Sequence, residues 1–136
     1  MDDDEHLRGY DDGSWTPGPG LILWHGTSTK LAADIERTGI RLGSCWGTER
    51  VARYFAEGTC SERGGSHLML GVRLDALDAS RMRIDPVMIE FPIFPDYDER
   101  QYEWEERSSQ EWQECLRLYE AVTYRAVVPW SLLVRS

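Results

Sequence analysis

The stretch Leu21-Ile22-Leu23-Trp24-His25-Gly26-Thr27-Ser28 limits most strongly what this chain folds into. Its first four residues are apolar, a run that suits a short buried strand and is too short for a stable helix. The strand, read as residues 21–25, then meets a histidine, a glycine and two hydroxyl residues. Gly26 carries no Cβ, so a ligand can lie against its backbone. Thr27 or Ser28 can cap a following helix. The stretch reads either as the floor of a pocket or, more plainly, as a strand closed by a structural histidine.

Composition bounds the rest. The chain has 136 residues, 41% of them hydrophobic, with six tryptophans, enough apolar mass for one domain with a core of its own. No apolar run reaches the roughly 18 residues that a membrane-spanning helix needs. The acidic N-terminal segment lacks the basic-then-apolar pattern of a secretory signal. Cys45, Cys60 and Cys115 are odd in number and unpatterned, which favours free thiols in a reducing cytoplasm over disulfides or a zinc site. Net charge is −9, concentrated in residues 1–20 and 96–120, while residues 21–95 are balanced. Such a chain is repelled by phosphate backbones, so nucleic acid is a disfavoured partner.

Residues 1–20, with two acidic clusters and a Thr-Pro-Gly-Pro-Gly end, read as a flexible arm whose Trp15 pins its far end; residues 21–136 read as one domain. A helix is expected over 29–38, stopped by Gly39, then a strand from Ile40 to Leu42 and a turn over 43–47. Thr48 is a good N-cap for a helix over 49–57, with Val51, Tyr54 and Phe55 at helical spacing and Gly58 as its stop. Residues 59–66 read as a loop. Strands are expected over 67–74, 81–84, 87–91 and 121–127, with a last apolar stretch at 132–134. His67, on one of these strands, reads as structural. Ser108-x-x-Glu111 is a capping box for a helix whose Trp112, Cys115, Leu116 and Tyr119 share a face. Few βαβ alternations occur, so the fold class is α+β with a split, mainly antiparallel sheet and flanking helices.

Three motifs in this order carry a resemblance: Trp24-His25-Gly26-Thr27 at the end of a strand, Ala52-Arg53-Tyr54 on a helix, and Glu120-Ala121-Val122-Thr123-Tyr124 opening a strand. Together they resemble the ADP-ribosyltransferase superfamily, in its His-Tyr-Glu branch of diphtheria toxin and the poly(ADP-ribose) polymerases. The resemblance covers roughly residues 21–134.

It implies a mono-ADP-ribosyltransferase that uses NAD⁺ as co-substrate and needs no metal. Glu120 would be the catalytic carboxylate, favouring the positive charge that develops on the ribose as nicotinamide leaves. His25 would donate a hydrogen bond to the adenosine ribose. Gly26 would bind the carboxamide through its backbone, with Thr27 beside it, and Tyr54 would stack on the nicotinamide ring. Trp46 is the nearest match to the aromatic on the family's second strand. Val51 and Leu118 depart from the pattern: Val51 replaces a serine common before Ala-x-Tyr. Leu118 stands where members that modify arginine carry Glu or Gln.

The acceptor is then expected to be a protein rather than DNA or RNA, met by the acidic, aromatic run from Asp96 to Glu106. A chain of this size suits a bacterial or phage effector, or a toxin, whose partner is a host target protein or an antitoxin. A catalytically inactive relative that binds a partner through its acidic segments is the reading from another class.

Overall fold

The computed structural model describes residues 18, 20–91, 93–94, 104 and 111–135. The acidic arm, apart from Gly18 and Gly20, and the acidic run around Trp104 therefore lie outside the described residues, as does Ser108. Within them the fold is α+β: six antiparallel strands with helices packed against them.

The opening stretch forms β1 (Ile22–Ser28), longer than the expected 21–25 because it pairs with β3 (His67–Arg73) over its whole length. Ser28 ends it by accepting from the Lys30 amide at 3.1 Å, which starts a 3₁₀ turn leading into α1 (Ala32–Thr38). Gly39 closes α1 with φ 77°, as its position predicts.

The next segment differs from expectation. Ile40 makes only an isolated bridge to Val128, residues 42–43 turn, and the strand β2 is Cys45–Gly47. Pairing decides this: β2 lies against β5 (Ala121–Tyr124) at three register positions, which draws the expected turn residues into the sheet.

Helix α2 (Glu49–Arg63) runs straight through Gly58 and takes in most of the expected loop. A glycine inside a helix costs about 1 kcal/mol relative to alanine. The burial of Val51, Ala52 and Ala56 against the sheet offsets that cost. The helix stops where backbone sign compels it, at Gly64 and Gly65, with φ 81° and 84°.

Beyond β4 (Met82–Arg83), residues 86–90 form not a strand but a helix, α3 (Pro86–Glu90). The Asp85 carboxylate accepts from the amides of Val87 and Met88, both at 3.2 Å, and Pro86 occupies the first turn, where its missing N–H costs nothing.

Helix α4 (Trp112–Tyr119) is buried from Cys115 to Tyr119 on every side, not on one face alone. Leu116 joins a core of Leu23, Trp46, Leu70, Val72 and Val122, while Cys115, Leu118 and Tyr119 join a second with Val51, Met88 and Trp104. Arg117, fully buried, is held by Glu114 at 2.6 Å.

A short β6 (Val134–Arg135) completes the strand order β4-β5-β2-β1-β3-β6. β1 and β2 share a single register pair, Trp24 with Gly47. The sheet is thus one in hydrogen bonding but nearly parted at that junction.

Candidate active site

Sheet order sets β1 and β5, which carry the first and third motifs, on either side of β2, and the second motif lies on α2, packed against β1. Trp24 of β1 pairs with Gly47 of β2, and Gly47 pairs with Ala121, the residue after Glu120. Gly47 is indispensable to this approach, because a Cβ there would stand 2.1 Å from the Glu120 carbonyl oxygen.

Between β1, α1, α2 and the connection into β2 lies a cavity of about 510 Å³, within the range of small-ligand sites. His25, Gly26 and Thr27 line it. So do Trp24 and Phe55, which supply aromatic walls, Arg41 and Arg63, which supply positive charge, and Asp34 and Glu62, which balance it.

His25 has a defined state. Its Nδ1 lies 3.0 Å from the Cys45 carbonyl oxygen, which only accepts, so Nδ1 carries the proton. Burial pushes its pKa below the usual histidine value, against the smaller upward pull of that hydrogen bond. The ring is therefore neutral at pH 7 and offers Nε2 as an acceptor. A ribose hydroxyl would donate to it, the reverse of the direction that the resemblance implies.

A testable consequence follows for stability. The unfolded chain binds the proton more readily than the folded one, so the contribution is full above about pH 6.5 and is lost as pH falls toward the folded pKa. Denaturant midpoints should fall between pH 7 and pH 5 in the wild type and fall less steeply in His25→Gln. Parallel slopes would show that His25 is not the group responsible.

Gly26 lines the cavity, but its missing side chain has a structural cause. A Cβ there would lie 1.7 Å from the Ala52 carbonyl oxygen, so the space is taken by α2 rather than kept for a ligand. Trp46 is fully buried in the core and meets the His25 ring from behind, centroids 5.5 Å apart. Tyr54 is not in the cavity with His25. It lies 49% exposed on the outer side of α2, edge-on to Phe55 and Phe94.

No family model, curated protein or solved structure matches the chain. What the site can do therefore rests on its own geometry.

Glu120 is no surface carboxylate at a corner. It is 3% exposed, caps the C-terminus of α4 and is the single non-glycine residue with positive φ (60°) among the described residues. Thr48 stands at the N-cap of α2, as expected, yet its hydroxyl does not cap the helix. It donates instead to Glu120 Oε1 at 3.0 Å. Arg50 Nη2 donates to Oε2 at 2.5 Å, and Nε reaches both oxygens at 3.0 and 3.2 Å. The Arg50 guanidinium in turn lies 4.3 Å over the Phe94 ring. Sequence reasoning missed both Arg50 and Phe55.

Cys45 and Cys115 offer no nucleophile here. Burial raises the Cys45 thiol well above its ordinary pKa and Cys115 to about 12, so neither is a thiolate at neutral pH. Among the described residues no group of His, Cys, Asp and Glu is placed to hold a metal, and no helix is long and apolar enough to cross a membrane.

Proposed function

We propose that the chain is a member of the ADP-ribosyltransferase superfamily, a mono-ADP-ribosyltransferase that cleaves NAD⁺ and transfers ADP-ribose to a protein. The observation that carries this reading is a buried, ordered carboxylate, Glu120, set one residue beyond the β2–β5 pairing and two strands from a neutral, cavity-lining His25.

The lining suits a dinucleotide. Phe55 and Trp24 offer apolar faces to flat rings, His25 Nε2 accepts from a sugar hydroxyl, and Arg41 and Arg63 offer donors to a pyrophosphate in a lining whose charge Asp34 and Glu62 balance. Glu120 does not line the cavity itself; its carboxylate is held beside it by Arg50, whose side chain is partly exposed. NAD⁺ supplies the ADP-ribosyl group. This chain's residues bind and orient it, and the fixed carboxylate favours the positive charge that develops as nicotinamide departs. A protein acceptor is favoured over DNA or RNA by the net charge of −9.

The test is incubation of the pure protein with labelled NAD⁺, alone and with bacterial lysate, followed by mass spectrometry. Release of nicotinamide with label on protein is expected. Label on nucleic acid would replace the acceptor assignment, and no turnover under either condition would remove the enzymatic reading in favour of a partner-binding relative.

A further inference from the structure

Three local choices around Glu120 run against ordinary stability, and all three serve the same carboxylate. A glutamate occupies left-handed backbone, where glycine or asparagine is the usual occupant. Thr48 leaves the amides of α2 without its hydroxyl, forgoing a cap worth about 1 kcal/mol. Arg50 sits in the first turn of α2, where the helix dipole disfavours a cation. Local choices of this kind gather where geometry is held for function.

We infer that Arg50 is a positioning residue for Glu120: its planar fork, with the Thr48 hydroxyl, fixes the carboxylate in the one orientation used for bond cleavage. Both carboxylate oxygens are engaged, and the acid's backbone is fixed as well, its N–H donating to Leu116 O at 2.9 Å and its C=O accepting from Thr48 N at 3.0 Å. Phe94 holds the guanidinium plane from the other side. A lysine would supply the charge but not the fork. The inference rests on the proposed transferase reading and adds to it the residue that governs its carboxylate.

The experiment compares Arg50→Ala, Arg50→Lys and Glu120→Gln in the full-length chain, with folding checked by circular dichroism. Two readouts are taken. The first is a double-mutant cycle of Arg50→Ala with Glu120→Gln on denaturant midpoints, which needs no activity. The double variant is expected to lose less than the two singles together. The second is turnover. Arg50→Ala and Arg50→Lys should each lower kcat by about tenfold to a hundredfold, the scale of a misplaced catalytic group, with NAD⁺ affinity unchanged within a factor of about three. Guanidinium chloride, at concentrations far below those that unfold the protein, should restore part of the Arg50→Ala loss, while equal sodium chloride should not. Should Arg50→Ala not fold, Arg50→Lys carries both readouts.

Additive stability losses would overturn the inference. So would a wild-type or raised kcat in the Arg50 variants alongside an inactive Glu120→Gln, since Arg50 would then be a bystander or a brake. A coupled cycle with a fully active Glu120→Gln would mean instead that the transferase reading had failed at its carboxylate while the anchoring stood.

Discussion

Glu120→Gln should lower ADP-ribosyl transfer by about 10² to 10³-fold, which corresponds to losing roughly 3–4 kcal/mol of transition-state stabilisation. The substitution keeps the side chain's shape and removes its charge. Its amide oxygen can still accept from Thr48, and the left-handed backbone at φ 60° accepts glutamine no worse than glutamate. Arg50 loses its anionic partner, but its side chain is 37% exposed, so water takes over much of the solvation. The stability cost should then stay near the 1 kcal/mol expected of a partly solvated pair, well below that of a fully buried one. NAD⁺ affinity should change little, because the charge is needed where positive charge develops and not in the ground state. Steady-state turnover, calorimetry with NAD⁺ and thermal melting separate the three effects. A variant that keeps more than about a tenth of wild-type turnover would exclude Glu120 from the role, since one electrostatic donor of this kind is worth far more.

What the sequence made legible, and what it hid, follows the reach of each interaction. β1, β3, α1 and the junction of α4 with β5 were readable because apolar runs and caps act within a few residues. The strand at Cys45–Gly47 was not, since its cause is pairing with residues more than seventy positions later. The helix at Pro86–Glu90 carried a readable signal, Asp-Pro as cap and first turn, that the apolar alternation of 87–91 masked.

Helix α2 is the more instructive case. Spacing from Val51 admits both Tyr54 and Phe55 to an apolar face. Phe55 turns inward because the helix is seated by two small residues, Ala52 and Ala56, which lie on the Phe55 side of Val51. A stripe read from large side chains alone gives these alanines no weight. Arg50 and Glu120, seventy residues apart, left no local mark beyond an arginine in an unfavourable first turn.

Gly26→Ala should be among the most damaging single substitutions in the chain. The added Cβ would stand 1.7 Å from the Ala52 carbonyl oxygen, 2.5 Å from its carbon and 3.0 Å from the Ala56 nitrogen. All three are backbone atoms of α2, so no side-chain rotation relieves the clash and the helix must move off β1 as a body. Overpacking a core costs about 1–3 kcal/mol when side chains can adjust; here they cannot, so a loss of at least about 3 kcal/mol is expected. For a domain of this size that is a fall of roughly 10 °C in melting temperature. Displacing α2 would also carry Arg50 and Thr48 away from Glu120, so activity should fall with stability. Gly58→Ala, in the same helix, is the control. Nothing lies within 4 Å of a Cβ there, and alanine should raise stability by about 0.5–1 kcal/mol. Chemical denaturation of the two variants beside the wild type reads both signs at once. A Gly26→Ala protein as stable as wild type would mean that α2 does not lie against β1 as closely as described, and with it would go the cavity wall that Ala52 and Phe55 provide.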